Sequence, residues 1–123
     1  MQLTKNFYKT EFNCKCGCEM PDHILENIKE LAYHLQRLRD KLDSPIKINS
    51  GYRCEIHNSV IGGSKNSQHT KGLASDIVVK DYTPEQVYNF LDKLQKLNMF
   101  KLGGLGKYDS FTHLDIRGYI ARW

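Results

Sequence analysis

The apolar positions of the chain follow two periods. From Pro21 to Leu42, the residues Ile24, Ile28, Leu31, Leu35, Leu38 and Leu42 step by four, three, four, three and four. This is one stripe of an amphipathic helix. Lys29, Gln36, Arg37 and Asp40 occupy its solvated face, and His23 and His34 read as surface histidines. Ser44-Pro45 ends the helix, because proline bars its predecessor from helical dihedrals. Ile46 to Asn49 alternates like a strand, Ser50 to Arg53 turns out of it, and residues 54–61 suit a short helix. Residues 62–72 are polar and glycine-rich and read as a loop.

Leu73 to Val79 predicts a second strand, with Leu73, Ser75, Ile77 and Val79 on one face and Ala74, Asp76 and Val78 on the other. Thr83-Pro-Glu-Gln86 combines a cap, a first-turn proline and a capping box. The helix it opens has Val87, Phe90, Leu91, Leu94 and Leu97 as its buried stripe. Gly103 and Gly104 break the chain before a strand within 104–108. Phe111 to Arg117 alternates again, placing Phe111, His113, Asp115 and Arg117 on one face. Residues 1–20 are irregular, with Phe7, Tyr8 and Phe12 as anchors. The expected architecture is α+β, a small antiparallel sheet packed by two main helices in one domain over residues 1–123.

Composition narrows the class. The chain has 123 residues, is 40% hydrophobic and 26% charged, and carries a formal net charge of +4. That length holds one core. No apolar run approaches the roughly 20 residues of a membrane span, and the first residues lack the apolar stretch of a secretory signal. The lysines are scattered rather than gathered, which argues against a nucleic-acid partner. A monomer without membrane insertion is expected.

Three of the four cysteines, Cys14, Cys16 and Cys18, lie within five residues, and the fourth is Cys54. A cluster in a chain without a signal points to metal or free thiols more than to disulfides. Four thiolates would close a structural zinc site if Cys54 folds back onto the cluster; disulfides and plain reduced cysteines stay open as alternatives.

Asp76 is a carboxylate inside an apolar strand, where burial demands a charged partner or a metal. Arg53 is one candidate partner. His69 lies seven residues upstream in the glycine-bounded loop, and His113 shares a strand face with Asp115. Two imidazoles and a carboxylate make the donor set of a catalytic zinc, with the fourth position left for water.

These residues carry a family resemblance. Ser67-Gln-His-Thr-Lys-Gly-Leu-Ala-Ser-Asp76 resembles the S-x-H-x-x-G-x-A-x-D signature of the M15 zinc peptidases of peptidoglycan, which include D-alanyl-D-alanine carboxypeptidases and LAS endopeptidases. Ser50-Gly-Tyr-Arg53 is similar to the segment that precedes that signature, Gly104 to Arg117 to the closing strand with its H-x-D element, and Ala121-Arg-Trp123 to the ending of the small phage and bacterial branch. With the F-x-C-x-C-G-C opening, the likeness covers nearly the whole chain. It implies a hedgehog/D-Ala-D-Ala-peptidase-like fold and one catalytic zinc on His69, Asp76 and His113. It also implies that Arg53 steadies a scissile carbonyl oxygen or a substrate carboxylate, and that the partner is a peptidoglycan peptide.

The chain departs from several family members three residues before the last histidine, where they carry an acid and this sequence has Ser110. Asp115 and Asp109 are the alternatives for the proton-transferring group, with Asp115 preferred; its competing role is to orient a ligand histidine. His57 reads as structural or close to substrate, Ser67 and Gln68 as holding the loop, and Tyr108 as lining the cleft. The resemblance further implies a protein made in the cytoplasm that reaches the wall through phage lysis or as a virion component. Two functions follow: a zinc peptidase cutting stem or cross-link peptides at a D-amino acid, or a non-catalytic zinc-containing wall-binding module of the same fold.

Overall fold

A computed structural model describes all residues 1–123. Helix α1 runs over Asp22–Leu42 and ends at Asp43, whose left-handed conformation (φ 50°) turns the chain into strand β1 (Ile46–Ser50). Helix α2 (Glu55–Val60) is short. Strand β2 (Ala74–Val79) follows, then α3 (Pro84–Lys96), β3 (Gly104–Lys107), β4 (Thr112–Asp115) and β5 (Ala121–Arg122). The capping box that opens α3 is formed: Gln86 N donates to Thr83 Oγ1 at 3.1 Å, and Thr83 N donates to Gln86 Oε1 at 2.8 Å.

The sheet has the order β1-β2-β4-β3-β5. Three neighbouring pairs are antiparallel, and β5 runs parallel to β3. The sheet is therefore mixed, and its fifth strand was not visible in the alternation because two residues are too few to show a period. One apolar cluster joins the α1 stripe, Ile77 and Val79 of β2, Val87, Leu91 and Leu94 of α3, Leu105 of β3, Leu114 of β4 and Ile116 just beyond it.

The burial pattern corrects several sequence expectations. Leu97 caps α3 and is 56% exposed, while Gln95 is buried and accepts from Arg122 Nη2 at 2.8 Å. His34 is buried in α1, its ring 5.2 Å from that of Tyr33 and 5.5 Å from that of Phe100. Gln36 is not free in solvent: it accepts from Thr4 Oγ1 and Asn6 N and so ties down the N-terminal segment. Phe7 and Phe12 anchor that segment in the core, but Tyr8 stays exposed. The loop expected over residues 62–72 contains a single 3-10 turn, Gln68–Lys71.

These differences are measurable. Leu91→Ala should cost about 2–5 kcal/mol, the range for a buried leucine, whereas Leu97→Ala should stay within about 0.5 kcal/mol. Urea unfolding of both variants beside the parent checks the contrast.

Candidate metal centre

The register of the sheet brings two of the candidate ligands together. Asp76 of β2 lies directly opposite His113 of β4, so both side chains leave one face as cross-strand neighbours. The third arrives on the 3-10 turn. Ser67 Oγ accepts from His69 N at 3.2 Å at its start, and Gly72 closes it at φ +73°, a conformation that favours glycine. His69 is locked to the exit of β1: Arg53 N donates to its carbonyl at 3.1 Å, and its Nδ1 lies 2.8 Å from Gly51 O.

The three side chains converge. His69 Nε2 and His113 Nδ1 each lie 3.2 Å from Asp76 Oδ1. The outer nitrogens fix the tautomers. Gly51 O can only accept, so His69 Nδ1 carries the hydrogen. Asp115 Oδ2 lies 2.9 Å from His113 Nε2 and holds the hydrogen on that side. Two imidazole lone pairs and a carboxylate oxygen therefore face one point in a buried place. Such an arrangement needs a cation: a metal ion or added protons. The donor set and its spacing, all within 4.8 Å, fit a zinc site with an open position.

The charges respond to the same crowding. Burial pushes the Asp76 carboxyl up; in the absence of a metal, added protons on the facing nitrogens of His113 and His69 turn those contacts into hydrogen bonds that outweigh burial and hold the group well below the usual carboxylate range. Burial pushes the His113 imidazolium down, while Asp115 and Asp76 on its two nitrogens bring it above the ordinary histidine value. A metal entering the site therefore competes with protons.

Arg53 stands beside the triad. Its Nη2 donates to Asp76 Oδ2 at 3.2 Å, its Nη1 to Asn58 Oδ1 at 3.2 Å and its Nε to Ser50 Oγ at 3.1 Å. It is thus both the ion-pair partner of Asp76 and a wall of the cavity above it. The guanidinium is held on three sides and keeps N–H groups over for a ligand oxygen. The cavity, about 570 Å³, is also lined by Gln68, Tyr108, Phe111, Arg117 and Trp123.

Asp115 is placed differently from a proton shuttle. It is fully buried and does not reach the cavity. Its Oδ1 accepts from Gly104 N at 2.7 Å, Arg117 N at 3.2 Å and Arg117 Nε at 2.9 Å; its Oδ2 meets His113 Nε2 at 2.9 Å and Arg117 Nη2 at 2.7 Å. Burial raises its pKa, and the bonds from His113, Arg117 and Gly104 more than reverse this, leaving it well below the usual carboxylate range. A carboxylate so engaged behind the ring orients His113 rather than facing the ligand. Asp109 is exposed and borders a separate depression with Thr83 and Glu85. Asp76 is the only acidic side chain that lines the main cavity.

Gly104 does not break the chain. It lets β3 pass over Asp115, since a Cβ there would stand 2.4 Å from Asp115 Oδ2. His57 does not line the cavity; its backbone N–H donates to Cys54 Sγ at 3.4 Å. Four residues escaped the sequence reading as parts of the site: Asn58, Phe111, Arg117 and Trp123. Arg117 offered a signal, since it shares the strand face of His113 and Asp115. Trp123 matched the family's ending but gave no sign of its place in the site, because its ring reaches that of His113, at 4.9 Å, only through the packing of β5. Cys14, Cys16, Cys18 and Cys54 gather at a second place, with their sulfurs within 4.8 Å of one another.

A buried His-Asp-His set at the floor of a polar cleft is a donor set that metal-dependent hydrolases use. A family model, Peptidase M15, matches residues 5–115, and the chain belongs to that family of zinc-dependent metallopeptidases. A search of curated proteins gives no match.

Removing the group behind His113 should show in two ways. Asp115→Asn should weaken zinc binding about 10–100-fold, the usual effect of losing such an orienting partner, as read by competition with a chromogenic chelator. The second readout is pH. A carboxylate with a depressed folded pKa stabilises the fold above its unfolded value of about 3.9, and that stability is lost as pH falls below it. The parent should therefore lose urea resistance below about pH 4, with a shallower fall in Asp115→Asn because only Asp76 then contributes strongly.

Proposed function

We propose that the protein is a zinc peptidase that hydrolyses stem or cross-link peptides of peptidoglycan at a D-amino acid. The observation that carries this reading is the convergence of His69, Asp76 and His113 below a polar cleft with the Arg53 guanidinium on its wall. His69 and His113 would hold the ion through Nε2 and Nδ1, and Asp76 through Oδ1. When bound there, zinc supplies Lewis-acid polarisation of a carbonyl and makes a water acidic enough to attack near neutral pH.

The remaining chemistry belongs to the chain. Arg53, fixed by Ser50, Asn58 and Asp76, offers N–H groups to the scissile carbonyl oxygen or to a terminal carboxylate of the substrate. Asp115 keeps His113 in one tautomer and one orientation. Tyr108, its ring stacked 4.4 Å from Phe111 and its hydroxyl accepting from Trp123 Nε1 at 2.9 Å, shapes the far wall. The net charge of +4 favours approach to an anionic wall polymer. Release by phage lysis, or carriage in a virion, is the route to the wall that this reading favours.

A second reading has one specific support. No acidic side chain besides Asp76 borders the cavity, so no free side-chain carboxylate stands ready to carry the proton from water to the leaving amine. A non-catalytic wall-binding module of the same fold would look like this.

Digestion of purified peptidoglycan, followed by mass spectrometry of the released muropeptides, separates the two. The peptidase reading expects new termini at one peptide bond, their loss on chelation with recovery on zinc addition, and at least a 100-fold loss in His113→Ala. Binding to the wall with no cleavage by the zinc-loaded parent would establish the module instead.

A further inference from the structure

The four cysteines lie apart from the cleft chemistry, and their arrangement is that of a ligand set. Cys14 Sγ is 3.4 Å from Cys16 Sγ and 3.9 Å from Cys54 Sγ, and the Cys16 and Cys54 sulfurs are 3.7 Å apart. Cys18 completes the group within 4.8 Å. A zinc–sulfur bond is about 2.3 Å, so a tetrahedral site has sulfur–sulfur edges of about 3.8 Å. A disulfide would need about 2.05 Å, and none of the four cysteines is so bonded.

Backbone amides also point at the sulfurs. Cys54 N donates to Cys14 Sγ, Cys18 N to Cys16 Sγ and His57 N to Cys54 Sγ, each at 3.4 Å. Sulfur is a weak acceptor as a thiol and a stronger one as a thiolate. The close Cys-Lys-Cys-Gly-Cys spacing is made workable by Gly17, whose φ of +86° lets the chain fold back, with Gly17 N donating to Cys14 O at 3.1 Å. Three ligands then come from one tight turn and the fourth from 36 residues later, at the start of α2.

We propose that Cys14, Cys16, Cys18 and Cys54 bind a second, structural zinc ion that fastens the N-terminal segment to the connection carrying Arg53. Four protein ligands leave no open position, which is the mark of a structural site. The connection it would hold is already tightly joined to the same segment. Tyr52 N donates to Phe12 O at 2.8 Å, and a Cβ on Gly51 would stand 2.7 Å from Phe12 Cα. Gly51 O in turn fixes the His69 ring, and Arg53 directly precedes the ligand Cys54. Two metals would thus be joined through residues 51–54, one for chemistry and one for holding the chemistry in place.

The test uses the full chain loaded with metal. Cobalt is substituted for zinc in the parent and in His69→Ala/His113→Ala, and absorption is recorded. Both proteins should show intense thiolate-to-cobalt charge-transfer bands in the near ultraviolet, which a His-Asp-His site cannot produce. Native mass spectrometry should count two zinc ions in the parent and one in His69→Ala/His113→Ala. Cys18→His, a conservative ligand change, should keep zinc but reduce the charge-transfer intensity by about a quarter, in keeping with one sulfur fewer among four. Absence of the charge-transfer bands from the parent overturns the proposal. So does a chain whose mass, purified without reductant, is short by the hydrogens of one or two disulfides. A parent with a single zinc that persists in His69→Ala/His113→Ala would uphold this site while removing the cleft metal, so the two readings fail separately.

Discussion

The structure turns on a buried carboxylate. Asp76 is buried within β2, and a lone ionised acid there would be prohibitive. It is tolerated because Arg53 pairs with one oxygen, while the other faces His69 and His113 at the point where a cation or added protons would sit. The same contacts define the site. The residues that make Asp76 acceptable in the fold are those that would hold an ion and receive a substrate oxygen. Stability and function therefore share one set of atoms.

That arrangement needs rigid support, because imidazoles that pivot cannot define a ligand geometry. Each ring is held from behind by a different device. A backbone carbonyl, Gly51 O, fixes His69, and a buried carboxylate, Asp115, fixes His113. Asp115 is itself neutralised by Arg117 and cradled by the amide of Gly104, which is why glycine is required where β3 begins. The support continues to the C-terminus. Trp123 packs on His113 and on the Arg117 guanidinium, 5.4 Å from its ring, and leaves no room for a Cβ at Gly106. A two-residue strand at the sheet edge thus places an aromatic wall in the cleft.

The opposite side of the cleft depends on the first residues of the chain. Phe12 fills the core and approaches Gly51 too closely for any side chain there, while the cysteine turn meets Cys54. An irregular segment with no periodicity is therefore part of the frame for Arg53. Its order comes from long-range contacts: two buried aromatics, hydrogen bonds to Gln36, and the sulfur cluster.

The helices and the strands at 46 and 73 were legible locally, since an apolar stripe, a proline stop and a capping box act within a few residues. That His69, Asp76 and His113 belong together was legible too, because a buried acid signals a partner and the M15-like spacing picks out the two histidines. What the sequence could not decide depends on distance. Gln95 and His34 are buried, and Leu97 is exposed, because helix ends and partner elements set burial as well as period. The parallel fifth strand and the place of Trp123 follow from how the C-terminus crosses the sheet. The function of Asp115 was undecidable from strand alternation, which puts it on the face of His113 but does not say on which side of the ring. Only the approach of Gly104 and Arg117 encloses it behind His113, away from the cleft. Local periodicity chooses a face; the packing of neighbouring strands chooses what that face meets.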